Sequence, residues 1–93
     1  MFFHGTSDAL VDQDTAMLLP GARTRVTRTA NPHRVVFLTD DRAIAEGHAQ
    51  KTAERFGGKA IIVIAIPEGS ADLRGNATFV TNAATIERIE YLN

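Results

Sequence analysis

Lys59-Ala60-Ile61-Ile62-Val63-Ile64-Ala65-Ile66 is the stretch that decides how this chain folds. An unbroken aliphatic run of this kind, closed by Pro67-Glu68-Gly69, reads as a strand with apolar surroundings on both faces. Such a strand belongs in the sheet centre, and the remaining elements are read as its neighbours. Just upstream, Gly57-Gly58 ends a helical stretch, Ala43 to Phe56. Within it Ala45, His48, Ala49, Thr52, Ala53 and Phe56 recur at helical spacing and share one face. Its alanines let the helix sit close to a sheet. Thr39 or Asp40 can cap the helix, and Asp41 also favours its N-terminus. Before the cap, Val35-Val36-Phe37-Leu38 reads as a second strand buried on both faces or nearly so.

The flanks follow from these. Ser70 to Ala77 reads as a loop carrying Asp72, Arg74 and Asn76. Thr78 to Thr81 is a short strand. Ile86-Glu87-Arg88-Ile89-Glu90-Tyr91-Leu92 alternates apolar and charged residues, as a half-exposed strand near an edge does. At the other end, Phe2 and Phe3 suit a half-buried strand that Gly5 is expected to break. A glycine there also lets a ligand or a second backbone approach the main chain. His4, Thr6 and Ser7 set an imidazole and two hydroxyls around that gap. The plain alternative is a strand end where His4 bonds a loop and Gly5 turns the chain. The order of elements predicts an α+β domain over residues 1–93, built on a mixed or antiparallel sheet rather than a doubly wound one.

Composition narrows the classes. Ninety-three residues, 44% apolar and 23% charged, suit one small globular domain rather than a disordered chain. The net charge of −1 exerts no global pull towards nucleic acid or an anionic membrane. With no cysteine there is no disulfide, thiolate zinc site or thiol nucleophile. No apolar run is long enough to cross a bilayer, and the N-terminus lacks a basic region followed by an apolar one. The expected location is the cytoplasm.

Charge is nevertheless uneven. Arg23, Arg25, Arg28 and Arg34, with His33, crowd into Gly21 to Arg34, a stretch that also holds Asn31, Pro32 and several threonines. It reads as a long loop, and long loops in small domains are more often functional than linkers. Arginines without neighbouring acids suit a phosphate or pyrophosphate, which guanidinium binds bidentately. A solvated basic loop paired with acids elsewhere is the alternative. Ala16-Met17-Leu18-Leu19, before it, suits a short strand or a helical turn. His48 is expected in the core or at the edge of a cleft, since no His/Asp/Glu cluster with metal spacing surrounds it.

Taken together, Phe3-His4-Gly5-Thr6, Leu19-Pro20-Gly21, Val36-Phe37-Leu38-Thr39 with its alanine-rich helix, and Gly58-Lys59-Ala60-Ile61 into Ile66-Pro67-Glu68-Gly69 resemble the ADP-ribosyltransferase superfamily. The small rifampicin ADP-ribosyltransferase-like members are the nearest in pattern. Phe79-Val80 and Ile86 to Leu92 resemble the closing strands of toxin-like members. The resemblance covers most of the chain in order and implies a split sheet around a cleft for NAD, used as co-substrate. It implies that His4 bonds a ribose hydroxyl and that the Gly5 backbone clamps the carboxamide, with Thr6 beside them. Phe37 stands where the family usually has a tyrosine stacked on nicotinamide; a phenyl ring keeps the stacking face and loses the hydroxyl. Arg23 and Arg25 would meet the pyrophosphate.

The third family motif is an acid that meets the positive charge developing on the ribose as the nicotinamide bond breaks. Where many relatives carry glutamate, this chain has Ala77-Thr78. Rifampicin-type relatives draw an aspartate from the loop after Pro-Glu-Gly, which points to Asp72; Glu68 and Glu87 are weaker choices. Asp72 and His4 are therefore the catalytic candidates, and no metal is implied. The resemblance implies transfer of ADP-ribose from NAD to an unidentified acceptor: small molecule, protein or nucleic acid. Phe37 and the missing glutamate favour the alternative, a degenerate binding or interaction protein such as a phage or toxin-type host-interference factor. The intact His4-Gly5-Thr6 and the arginine loop favour transfer, the reading preferred from the sequence. A third relative, the NAD-dependent RNA 2′-phosphotransferase, shares the fold in a longer and more basic chain.

Overall fold

Seven strands and one α-helix are present among the residues that the computed structural model describes, 1–11, 17–18 and 36–92. In chain order they are β1 (Phe2–Ser7), β2 (Met17–Leu18), β3 (Val36–Thr39), α1 (Arg42–Phe56), β4 (Ala60–Pro67), β5 (Asp72–Gly75), β6 (Thr78–Thr81) and β7 (Ala84–Tyr91). A single 3-10 turn, Asp8–Leu10, follows β1. The strands form one sheet in the order β2-β7-β4-β1-β3-β6-β5, and every pairing is antiparallel. The molecule is thus α+β, with one helix laid on an antiparallel sheet.

Alternation along β4 explains why the run is apolar from Ala60 to Ala65, while Ile66 at its end is exposed rather than buried as expected. Ile62 and Ile64 face α1, where they are buried with Phe3 and Ala45. Ile61, Val63 and Ala65 point the other way, into a larger cluster with Leu18, Val36, Leu38 and Ala84. Phe2 and Phe79 close that cluster with an edge-to-face contact, centroids 5.0 Å apart. Burying both faces of a strand needs a side chain on each that tolerates no water, which Ile and Val supply.

The helix begins at Asp41, whose carboxylate accepts from the Ala43 N–H at 2.9 Å, while Thr39 Oγ1 accepts from the Asp41 N–H. Of the three capping candidates, Asp41 therefore holds the N-cap. Gly57, at φ 83°, closes the other end. Ala45 and Ala49 are fully buried against the sheet. Arg42 ties the helix start to β7, bonding Glu90 and Glu46 while lying over the Phe3 ring. That guanidinium holds the Glu90 carboxyl below the usual carboxylate range.

Three expectations are corrected. Gly5 does not break β1: the strand pairs with β4 in register from Phe2 to Ser7. Its glycine is required instead by α1, because a Cβ there would stand 1.9 Å from the Ala45 carbonyl oxygen and 3.0 Å from Ala49 N. Ser70 to Ala77 is not all loop, since Asp72–Gly75 pairs with β6 as an edge strand. The last strand is not strictly alternating. Its pairing with β4 skips a residue between Arg88 and Ile86, and this bulge lets Ile86 and Ile89 pack on the same cluster. Val35, Leu19-Pro20-Gly21 and the arginine-rich stretch from Gly21 to Arg34 lie outside the described residues.

Candidate functional site

The site lies where β1 and β3 part. They share a single register pair, Phe3↔Thr39. Continued antiparallel pairing would set Gly5 opposite Phe37, but that rung is missing. Instead the His4 side chain reaches across, and its Nδ1–H donates to the Phe37 carbonyl oxygen at 2.8 Å. A carbonyl oxygen can only accept, so Nδ1 carries the proton and the neutral ring keeps Nε2 as an acceptor. The His4 pKa is lowered, first by burial, against the opposing Phe37 bond and with a further push from charge on His48. His4 is therefore a neutral imidazole of fixed tautomer.

A cavity of about 360 Å³ opens at this parting. Its floor and walls come from β1 (Phe3, His4, Gly5), β3 (Phe37, Leu38, Thr39) and β6 (Thr78). The remaining wall is the α1 stripe Ile44, Ala45, His48 and Thr52, spaced at three and four residues. The chemistry on offer is two aromatic rings, two imidazoles, three threonine hydroxyls and aliphatic surface. Among the described residues no carboxylate, lysine or arginine lines it. Such a site can bind an aromatic, hydrogen-bonding ligand; as described, it holds no anionic group.

The candidate residues divide accordingly. His4, Gly5 and Phe37 come together in the cavity. Thr6 is buried and does not line it. Asp72 lies on β5, exposed. It pairs with Val80, which pairs with Phe37, so Asp72 stands in the Phe37 row two strands away, roughly 10 Å at ordinary strand spacing. Glu68 bonds Thr85, and Glu87 is exposed on β7. Arg23 and Arg25 lie outside the described residues. His48 stands at the cleft edge, one of its two anticipated places. Thr39 and Thr52 line the cavity without having been singled out for it. Thr52 had a signal, the helical stripe it shares with His48, whereas Thr39 carried only its capping role. Thr78, at the position where the family resemblance implies a glutamate, also lines the cavity.

Comparison of the chain with protein-family models, with curated proteins and with solved structures returned no match.

Proposed function

We propose that the cleft between β1 and β3 binds the nicotinamide–ribose half of NAD, and that the chain is an ADP-ribosyltransferase-like NAD-binding domain. The observation that carries this is the His4–Phe37 bond at the parting of the sheet. The bond runs to the Phe37 backbone and leaves the His4 ring with Nε2 as an acceptor, and both residues line one cavity. A ribose hydroxyl donates to such an acceptor, and a phenyl face stacks on the nicotinamide ring. Arg23 and Arg25 would then meet the pyrophosphate, a role argued from sequence alone.

Two activities are compatible with that binding. In transfer, the nicotinamide–ribose bond breaks with its electron pair leaving on neutral nicotinamide. A nucleophile of the acceptor bonds the ribose carbon and loses a proton. A carboxylate near the ribose stabilises the positive charge of that transition state. The place of Asp72 in the Phe37 row supports transfer, provided that β5 and the ligand approach each other. The acid-free lining, with Thr78 at the expected glutamate, supports the binding or interaction protein, and this is the reading that the described geometry favours.

One titration separates them. NAD added to the purified chain should bind saturably, and nicotinamide release is followed in the same sample. Binding without release identifies a binding protein. Release that falls by on the order of two to three powers of ten in Asp72→Asn, with NAD affinity retained, assigns transfer to Asp72. No saturable binding of NAD would remove the proposal.

A further inference from the structure

We infer that His48 sets the charge preference of the cleft: protonated, it disfavours the cationic nicotinamide ring of NAD; neutral, it admits that ring. The inference rests on the reading of the cleft as an NAD site. His48 on α1 and His4 on β1 line one cavity from different walls. His48 is exposed at the cleft edge; His4 is held neutral first by burial, and charge on His48 acts in the same direction. Nothing among the described lining residues would neutralise it.

Among the described residues, the charged groups around His48 can be named element by element. On α1, Lys51 stands three residues on, adding positive charge, and Glu46 is engaged by Arg42. β1 contributes His4. β3 presents Phe37, Leu38 and Thr39, and β4 presents Ile62 and Ile64, none of them titratable. Asp8, in the 3-10 turn, accepts from the Lys59 N–H beyond the far end of the helix. Asp72 lies on β5, outside the lining. A proton on His48 therefore adds positive charge to a space with no acid among the described lining residues. The ring of NAD carries a positive charge that free nicotinamide lacks, so the two ligands report on that charge separately.

The test measures NAD and free nicotinamide affinity by titration of the whole chain at about pH 5.5 and about pH 8, on either side of the ordinary imidazole range. NAD should bind roughly threefold to tenfold more weakly at the lower pH, the order expected of two like charges in a solvated cleft. Nicotinamide should bind alike at both. His48→Gln should flatten the NAD profile, with thermal unfolding confirming that the variant is folded. Tighter NAD binding at acid pH overturns the inference by placing the phosphates, not the ring, at His48. An equal pH dependence for both ligands overturns it too, as does a slope that survives in His48→Gln. NAD that binds with a flat profile removes this inference alone, whereas NAD that binds at neither pH removes the NAD site with it.

Discussion

The two edges of β1 are built differently. Towards β4 the strand is paired at every residue from Phe2 to Ser7, whereas towards β3 it has the one pair Phe3↔Thr39. On the first edge the backbone is satisfied by the ladder, and side chains are left to pack on two apolar faces. On the second edge a side chain, His4, takes the place of a rung, and the space it leaves becomes a cavity. Regular pairing makes stability here, and interrupted pairing makes a site. The half β4-β7-β2 is joined to β1 by ladder; among the described residues the half β3-β6-β5 is hydrogen-bonded to β1 by one register pair and the His4–Phe37 bond. Val36, Leu38 and Phe79 pack with Ile61 and Val63 in a shared apolar cluster, and α1 lies across β1, β3 and β4.

The strongest way to break this arrangement is at Gly5, which serves both edges. A methyl group there would meet the Ala45 carbonyl oxygen at 1.9 Å, and all three nearest atoms are backbone, so no side chain can swing aside. Gly5→Ala should cost at least about 3 kcal/mol, at the upper end for overpacking. Denaturant unfolding checks this. A loss under about 1 kcal/mol would show that α1 shifts freely and that the close helix approach is not required.

His4→Ala acts on one edge alone. It removes the bridge to the Phe37 carbonyl, a loss of about 1–3 kcal/mol in stability. His4→Asn offers an amide N–H near the Nδ1 position and should recover part of it. If Ala and Asn variants unfold alike, the bond does not hold the halves together.

The contrast between the edges also marks how far the sequence could be read. The β4 run was legible because a short, β-branched aliphatic run between Gly57-Gly58 and Pro67-Glu68-Gly69 suits a buried strand better than a helix. Helix α1 was legible from its alanine stripe, and Gly5 from its small size, although spacing alone did not show that the occupant of its space is the Ala45 backbone. Strand β5 was not legible. Asp72, Leu73, Arg74 and Gly75 are all exposed, so neither burial nor alternation marks them, and they are strand only because β6 pairs with them. The cavity was half legible. His4 and Phe37 carry recognisable chemistry, but Thr39 and Thr78 meet through a register between β3 and β6 that no local motif encodes.

Acid should weaken the bridged edge selectively. The His4 pKa is lowered in the folded chain from its ordinary 6.5. The unfolded chain therefore binds more protons between the two values. Stability is full above 6.5, declines as pH falls through the lowered folded value, and does not recover below it. Unfolding curves on either side of this window should show the decline in the wild type. His4→Asn, which does not titrate there, should show less of it. Equal declines in the two would assign the acid sensitivity to other groups.

The smallest effect should come from the far end of the loosely joined half, and it should be favourable. The β5–β6 turn places Asn76 at φ 33° and Ala77 at φ 60°. Both are in the left-handed region, where a hairpin of this kind normally uses asparagine followed by glycine. Asn76 suits its place, but the Ala77 methyl crowds the backbone at a cost of about 1–2 kcal/mol. Glycine would relieve that crowding and give back part of the gain through the greater freedom of the unfolded chain. Ala77→Gly should therefore stabilise by about 0.5–1 kcal/mol, seen as a higher denaturation midpoint with an unchanged slope. Thr78, the next residue, lines the cavity, so NAD affinity measured on the same variant asks a second question. A more stable protein with unaltered affinity would mean that the strain is incidental to the cleft. A more stable protein with weaker affinity would mean that the strained turn holds Thr78 in place, and a less stable one would mean that contacts of the Ala77 methyl outweigh the strain.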